Sequence, residues 1–323
     1  MKSCKIIVTG ANGFIGSNLT RFFLGNKDDV YIIIRKSSEL WRIKDIITEL
    51  NIKYISTGSK EEFMDIFQEV KPDFLINAIG ASQTNNPGNE ASTWFGNFSI
   101  LTNIASALRN FPDTLLIQLG SSFEYGKATL KRNPINEDFK CEPVSDYGIS
   151  KLFATKYLNY LGNNNMLRSL SIRIFNVYGQ YENSNRLVPS IIFKLLDDSE
   201  VFLKNPAVYR DFIHMNDISD AIKSVIENED QFVNGEVLNV GTGKAHSVKE
   251  IAEYALKITK SSQNIVTNSV DLRPENSFPG AIADIDKIRS KTGWAPKISI
   301  EQGLRISIDW FREHLDLYDS SQS

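Results

Sequence analysis

The sequence contains few of the residues on which metal-dependent and secreted proteins rely. Its 323 residues include 2 cysteines, Cys4 and Cys141, and 3 histidines. Two cysteines without motif spacing predict neither a disulfide framework nor a zinc site. We therefore expect reduced thiols, no metal and a cytoplasmic location.

Long apolar runs and an excess of basic charge are also missing. No run approaches the roughly 18 apolar residues of a membrane-spanning helix. The N-terminus leads directly into an apolar strand and carries no secretory signal. Lys and Arg number 36 against 39 Asp and Glu, a net charge of −3. This balance predicts no nucleic-acid partner and no membrane partner.

A glycine-rich turn opens the chain. The apolar run 5–8 is followed by Gly10, Gly13 and Gly16, and then by apolar residues at helical spacing. Strand, glycine-rich turn and helix form the context that a dinucleotide fingerprint requires. The glycines allow a tight turn, a close approach to a pyrophosphate and close helix packing. A plain βα turn is the alternative interpretation.

The end of the second predicted strand, 30–34, bears on the choice of cofactor. An acidic residue there binds the ribose 2′-OH of NAD, whereas Arg accommodates the 2′-phosphate of NADP. This chain has Arg35-Lys36-Ser37-Ser38 at that point. The pattern favours NADP(H) over NAD(H), and a solvated basic turn is the alternative.

Strand and helix patterns alternate through the first half of the chain. Predicted strands at 5–9, 30–34, 52–56, 73–78, 114–120 and 169–175 enclose helical patterns near 14–25, 40–50, 61–70, 94–110 and 147–161. Alternation of this kind predicts an α/β fold with a doubly wound parallel sheet, the Rossmann type. A further helix is predicted over 216–227, entered through Asp217.

We predict two discontinuous domains. Residues 1–175 and 216–243 form the NADP-binding Rossmann domain. Residues 176–215 and 244–315 form a smaller, mostly C-terminal α/β substrate domain, and 316–323 is a frayed tail.

Tyr147-x-x-x-Lys151 is the most informative local pattern. Positions i and i+4 share one face of a helix, so the ammonium group can lie beside the phenol. A nearby positive charge lowers the pKa of a tyrosine, and a cationic nicotinamide would add to that effect. The pair is then suited to general acid–base catalysis near neutral pH.

Several motifs in the same order resemble those of the extended short-chain dehydrogenases that act on nucleotide-diphosphate sugars. Beyond the opening glycines and Tyr147-x-x-x-Lys151, these are Ser121-Ser122-Phe-Glu-Tyr125-Gly126, Arg173-Ile-Phe-Asn176-Val-Tyr178-Gly179, Arg210-Asp211, Asn239-Val-Gly241-Thr-Gly243, Arg273-Pro274 and Gly293-Trp294-x-Pro296. The resemblance runs from Lys5 to about Phe311.

The resemblance implies roles for individual residues. Ser121 holds the substrate oxygen, Tyr147 exchanges the proton, and Lys151 binds the nicotinamide ribose. Residues implied to line the cofactor site are Gly10, Asn12, Gly13, Phe14, Ile15, Gly16, Arg35, Lys36, Ile79, Gly80, Asn97, Tyr147, Lys151 and Phe175. Residues implied to contact the substrate are Ser122, Asn176, Val188, Arg210 and Arg273, with the two arginines clamping the diphosphate. For Arg210 an ion pair with Asp211 or Asp217 is the alternative interpretation.

One departure from the family pattern restricts the chemistry. Dehydratases of this family follow the serine or threonine with an Asp-Glu pair, and this chain has Ser122-Phe123 there. The sequence therefore argues against 4,6-dehydration.

Three functions stay open. The first is NADPH-dependent reduction of the C4 ketone of a nucleotide-linked 4-keto-6-deoxy sugar, a step of deoxysugar biosynthesis for surface polysaccharide. The second is a nucleotide-sugar 4-epimerase, and the third a non-catalytic NADP-binding regulator. The NADP signal favours the reductase, because an epimerase recycles its nicotinamide.

The resemblance also implies a homodimer. The helices near 94–110 and 147–161 would form its interface, with Phe95, Phe98, Leu101, Leu152, Tyr157 and Leu161 as apolar candidates.

Overall fold

The structure is a computed structural model that describes residues 4–80, 90–130, 133–267 and 280–319. Its centre is a seven-stranded sheet in the order β11-β6-β5-β4-β1-β2-β3. Every neighbouring pair in this sheet is parallel. The strands are β1 Lys5–Thr9, β2 Asp29–Arg35, β3 Asn51–Ile55, β4 Phe74–Asn77, β5 Leu115–Ser121, β6 Ser169–Ile174 and β11 Glu236–Val240. This confirms the predicted α/β doubly wound sheet.

Helices cover both faces of the sheet because successive side chains of a strand point to opposite faces. Ile6 and Val8 of β1 belong to one buried cluster, and Ile7 between them belongs to another. The helices are α1 Phe14–Gly25, α2 Lys60–Val70, α3 Glu90–Trp94, α4 Ile100–Leu108, α5 Asp146–Asn163, α6 Leu187–Leu196, α7 Met215–Glu227, α8 Val248–Thr259, α9 Asp286–Thr292, α10 Ile300–Glu313 and α11 Asp316–Asp319. None of those in the described ranges combines the length and hydropathy needed to cross a bilayer.

A third buried cluster lies apart from the sheet. It joins α6, α8 and α10 around residues such as Val188, Ile251 and Leu304. Short two-stranded pairs accompany it: β7 Asn176–Tyr178 with β10 Phe212–His214, β8 Val201–Leu203 with β13 Ile265–Thr267, and β9 Tyr209–Arg210 with β12 His246–Ser247. The position of this cluster suits a separate substrate-binding part, and the exact domain boundaries stay a prediction.

Two helical segments differ in type from the simple helices that were predicted. The pattern near 40–50 forms a 3₁₀ helix, Trp41–Glu49, in which Ile43 is the one buried residue. The pattern near 94–110 begins earlier, and a π-helical turn, Phe95–Ser99, separates α3 from α4. Such turns are frequent at functional sites.

The predicted entry of the 216–227 helix through Asp217 is wrong. Helix α7 begins at Met215, and the backbone N–H of Asn216 donates to Nδ1 of His214 at 3.2 Å. The Asp217 carboxylate instead accepts hydrogen bonds from the backbone N–H groups of Lys297 and Ile298. The Asp217 carboxylate is therefore engaged in a tertiary contact with the segment before α10.

The predicted frayed tail is also wrong for its first residues. Residues Asp316–Asp319 form α11, and Tyr318 is 6% exposed. Its hydroxyl donates to the backbone carbonyl of Glu182 at 2.8 Å. Burial of the Tyr318 side chain holds α11 against the rest of the chain. Residues 320–323 lie outside the described residues.

Candidate active site

The fold brings Ser121 and Tyr147 together. Ser121 is the last residue of β5, and Tyr147 lies in the first turn of α5, which Ser145 caps by accepting from the N–H of Gly148. The Ser121 side chain lies close enough to the Tyr147 phenol to lower its pKa. Both residues line a cavity of about 570 Å³, a size typical of small-molecule sites.

Lys151 lies on the Tyr147 side of α5, as the spacing predicts. Its Nζ lies 5.9 Å from the centre of the Tyr147 ring and donates to the Leu119 carbonyl at 3.0 Å. Burial lowers the pKa of this lysine to about 8. A Cβ atom on Gly80 would lie 3.2 Å from Nζ, so glycine leaves room beside the ammonium group.

The expected lowering of the Tyr147 pKa does not occur in the protein alone. Burial raises the pKa of Tyr147, and the hydrogen bond from Ser121 and the charge of Arg186 oppose that rise. The prediction assigned the lowering partly to Lys151, whose charge is not among these causes. Desolvation of the phenol therefore outweighs the charges that the chain supplies.

Asn97 supports Tyr147 through a short relay. Its side-chain amide donates to the Ser150 hydroxyl at 3.0 Å, and that hydroxyl donates to the Tyr147 carbonyl at 2.9 Å. Asn97 lies in the π-helical turn Phe95–Ser99. The relay ties that turn to the first turn of α5.

A buried ion pair behind Ser121 was missed by sequence reasoning. The Glu124 side chain is fully buried, and its Oε2 accepts from Nε of Arg173 at 2.8 Å. Its other oxygen accepts from the backbone N–H of Ser121 at 2.9 Å. The spacing Ser121-x-x-Glu124 is that of a capping box, and this signal was available in the sequence.

The opening turn fits the pyrophosphate of a dinucleotide. Gly10 has φ +68°, and a Cβ there would lie 2.8 Å from backbone atoms of Ala78. Helix α1 has no side-chain cap and no acidic residue in its first turn, where Phe14, Ile15 and Gly16 follow Gly13. Uncapped N–H groups and the positive end of the helix dipole suit an anion. Asn12 lies within the same turn.

The other implied cofactor residues lie along the same edge of the sheet. Ile79 and Gly80 follow β4, and Phe175 follows β6 and lines the cavity. Arg35 and Lys36 are exposed at the end of β2, where the Arg35 N–H donates to the Ser38 hydroxyl.

Four of the five implied substrate residues line the same cavity. They are Ser122, Asn176, Val188 and Arg210, while Arg273 lies outside the described residues. The alternative partners suggested for Arg210 are engaged elsewhere. Asp211 accepts from the backbone N–H groups of residues 242, 243 and 283, and Asp217 from those of 297 and 298.

The cavity also contains residues that sequence reasoning did not select. They are the cations Arg186, Lys194 and Lys204, the acidic Glu182, and the half-exposed ring of Phe202. The run Arg186-Leu-Val-Pro, which leads into α6 shortly after the Asn176 motif, was the available signal. Glu182 has no local signature, since only packing places it on the cavity.

Sheets with this strand order bind dinucleotides outside the carboxyl ends of the strands, at the point where the order reverses. The hydroxyl pair and the lysine lie at that edge here. These features place the protein among the short-chain dehydrogenases of the extended type.

Comparison with known proteins gives the family. The model of the NAD dependent epimerase/dehydratase family matches residues 6–241, and the chain belongs to this family. A putative GDP-L-fucose synthase 2 of Arabidopsis thaliana is 26% identical over 97% of this chain and 93% of its own. A GDP-6-deoxy-D-talose 4-dehydrogenase of Aggregatibacter actinomycetemcomitans is 27% identical over 90% of this chain and 91% of its own.

Solved structures agree on the fold. The UDP-glucose 4-epimerase of Thermotoga maritima, with UDP-glucose, has a TM-score of 0.86 at 24% identity over 96% of this chain and 99% of its own. Membership of the family matched over residues 6–241 makes the protein an enzyme of the nucleotide-sugar epimerase, dehydratase and reductase type with a nicotinamide cofactor.

Proposed function

We propose that the protein uses NADPH to reduce the C4 ketone of a nucleotide-diphosphate 4-keto-6-deoxy sugar. The observation that carries the proposal is the wall of the cavity around Tyr147. It offers a hydroxyl pair, Ser121 and Tyr147, and next to it the ring of Phe123, 5.8 Å from the Tyr147 ring. The wall can hold and protonate a carbonyl oxygen, and the described residues around Tyr147 include no acid–base pair for removing water.

The chemistry needs one proton and one positioning hydrogen bond at the substrate oxygen. The nicotinamide supplies a hydride to C4 when it is bound. Ser121 donates to the carbonyl oxygen, and Tyr147 transfers its hydroxyl proton to that oxygen as it becomes an alcohol. The raised pKa of Tyr147 keeps the phenol protonated before that step, as a proton donor requires.

The charges of the cavity suit a diphosphate. Arg186, Lys194, Lys204 and Arg210 line it, and the first turn of α6 adds Leu187 and Val188 with no side-chain cap at the helix N-terminus. Guanidinium groups and helix N-termini are preferred partners of phosphate oxygens. We place the diphosphate here, with the nucleotide beyond it.

The exposed pair Arg35 and Lys36 supports NADPH over NADH, because two cations at the end of β2 suit a 2′-phosphate. The name of one relative, a GDP-6-deoxy-D-talose 4-dehydrogenase, is consistent with C4 chemistry on a GDP-linked deoxy sugar. A 4-epimerase is the second candidate, because it needs the same Ser121, Tyr147 and Lys151, and a solved relative carries that name.

The deciding experiment measures NADPH oxidation with dTDP-, CDP- and GDP-linked 4-keto-6-deoxyhexoses, with NADH in parallel. Stoichiometric loss of NADPH with one of them is the expected result. If no substrate causes loss of NADPH and NMR shows C4 inversion of a plain nucleotide hexose, the reductase is refuted and the 4-epimerase becomes the function.

We also propose a homodimer through α4 and α5. Phe95, Phe153 and Tyr160 are each more than half exposed on these helices or the turn before α4. The prediction that Leu101 and Leu161 lie in the dimer interface is wrong. Both side chains are buried in the chain's own core. A monomeric mass in light scattering would contradict the dimer.

A further inference from the structure

Phe123 brings an aromatic ring to the reacting end of the cavity. It lines the cavity and is partly exposed. Its ring meets the Tyr147 ring edge to face, with 5.8 Å between the ring centres and 77° between the ring planes. The proposed chemistry at C4 uses the hydroxyl groups of Ser121 and Tyr147 and gives the Phe123 ring no task. The position of this ring therefore calls for a separate explanation.

Contacts of the main chain fix Phe123 in one position. Its backbone N–H donates to the Ser121 hydroxyl oxygen at 3.2 Å, so the ring and that hydroxyl belong to one turn. A Cβ atom on Gly148 would lie 2.6 Å from the Phe123 carbonyl oxygen, because the first turn of α5 packs closely on this backbone. The next residue, Glu124, accepts from the Ser121 N–H and from the Arg173 guanidinium. A ring on so constrained a backbone presents a defined surface to a ligand.

The neighbouring hydroxyl of Ser122 serves another part of the cavity. Residues Ser122–Glu124 form a 3₁₀ turn, in which adjacent side chains point about 120° apart. Ser122 also lines the cavity, but in a different direction from the ring of Phe123. A ligand group that faces the Phe123 ring therefore does not share that side with the Ser122 hydroxyl.

The position of the reacting carbon decides which part of the sugar faces the ring. When the C4 oxygen lies at Ser121 and Tyr147, the nearest other groups of the sugar are the hydroxyl on C3 and carbon 6 on C5. An aromatic ring offers no strong hydrogen bond, so a hydroxyl group packed against it loses its water partners without replacement. A methyl group has no such partners to lose, and it buries apolar surface. Of the two neighbouring groups, the ring therefore suits a methyl group at C6.

We propose that Phe123 is a specificity-determining residue, whose ring packs against the C6 methyl group of the substrate's sugar and disfavours a sugar with a hydroxyl group on C6. The turn that supplies Ser121 to the reaction thus also selects the 6-deoxy form. The inference rests on the proposed function for the position of C4, and it does not depend on whether that carbon is reduced or epimerised.

Calorimetric titration tests the role of the ring without relying on turnover. The full chain, loaded with NADP⁺, is titrated with three pairs of nucleotide sugars whose members differ only in the hydroxyl group on C6. The pairs are dTDP-D-fucose with dTDP-D-galactose, UDP-6-deoxy-D-glucose with UDP-D-glucose, and GDP-D-rhamnose with GDP-D-mannose. The matched variants are Phe123→Met and Phe123→Gln, two unbranched side chains of similar size, of which only Gln is a strong hydrogen-bond partner. Phe202→Ala, which removes another exposed ring from the cavity wall, is the control.

The wild-type chain and Phe123→Met should bind the 6-deoxy member of a pair about tenfold more tightly, and Phe123→Gln should bind the two members about equally. Phe202→Ala should leave the ratio within each pair as it is in the wild type. A wild-type ratio near one in every pair that binds overturns the proposal. The same ratio in Phe123→Met and Phe123→Gln also overturns it, because a purely structural role weakens both members alike. If either variant does not fold, Phe123→Leu and Phe123→Asn repeat the comparison.

The two proposals fail separately. If the wild-type chain prefers the 6-deoxy sugars but reduces no 4-keto sugar, only the reductase is refuted. If it reduces a 4-keto-6-deoxy sugar but binds both members of each pair equally, only the role of Phe123 is refuted. If the wild-type chain binds none of the six ligands, the substrate class and the role of Phe123 are refuted together.

Discussion

The two walls of the cavity differ in how their polar groups are satisfied. The sheet wall carries Ser121 and Tyr147, and the Glu124 carboxylate behind them accepts from both the Ser121 N–H and the Arg173 guanidinium. The loop wall carries Glu182 and Arg186, and Oε2 of Glu182 has no partner among the described residues. Contacts within the chain satisfy the polar groups of the sheet wall, whereas the loop wall keeps one buried carboxyl oxygen without a partner among the described residues.

The sharpest test of the sheet wall is Tyr147→Phe. Loss of the hydroxyl removes the proposed proton donor, so kcat should fall about a thousandfold, within the range for general acid–base groups. The ring and its packing on Phe123 remain, so NADPH binding, measured by fluorescence, should not change. Turnover close to that of the wild type would refute the assignment.

The ion pair behind Ser121 should matter for stability. Glu124→Gln leaves the Arg173 guanidinium, about 3% exposed, without its charge partner. Breaking a buried pair costs about 3–5 kcal/mol of unfolding free energy. Urea denaturation measures the loss, and Asp286→Asn in the exposed pair with Arg289 is the control, with an effect near zero. Equal small effects would show that the pair is not a structural support of this wall.

The cofactor preference should depend on Arg35 and Lys36. Replacing both by Ala should weaken NADPH about 10- to 100-fold, because charge-assisted hydrogen bonds to a phosphate are lost. Binding of NADH, which lacks that phosphate, should stay the same. Parallel fluorescence titrations measure the dissociation constants of NADPH and NADH. An equal loss of affinity for the two cofactors would refute the NADP assignment.

The smallest expected effect concerns the loop wall and its pH dependence. The pKa of Glu182 is raised to about 8, so the folded chain keeps a proton that the unfolded chain loses above about pH 4.5. Wild-type stability therefore falls as the pH rises from about 4.5 to 8. Glu182→Gln has no such proton, so its melting temperature should exceed that of the wild type at pH 8, and the difference should shrink as the pH falls. At pH 5 the two should melt together, and a constant difference at both pH values would contradict the raised pKa.

Much of the sheet wall was predictable because its signals are local. The glycines at 10, 13 and 16 predict the turn, and Tyr147-x-x-x-Lys151 predicts two side chains on one helical face. Ser121 joined them through the family resemblance, and the fold places it beside Tyr147. The environment of Tyr147 was not predictable, because desolvation depends on everything packed around the phenol.

The loop wall was largely missed for the opposite reason. Glu182 reaches the cavity only because Trp310, Arg42 and Tyr318, which lie far from it in the sequence, fix the loop. The frayed tail was predicted wrongly for the same reason, since the partner of Tyr318 lies 136 residues earlier. Local pattern carries no information on such contacts.

The sequence by itself determined the parallel sheet, the dinucleotide turn and the catalytic candidates, because periodicity, glycine positions and helical spacing act within a few residues. Only the tertiary structure decided which charges are buried, which acceptor lacks a donor and which residues share one cavity. Burial and hydrogen-bond satisfaction arise from residues that meet across the whole chain, so they exist only once the chain has folded.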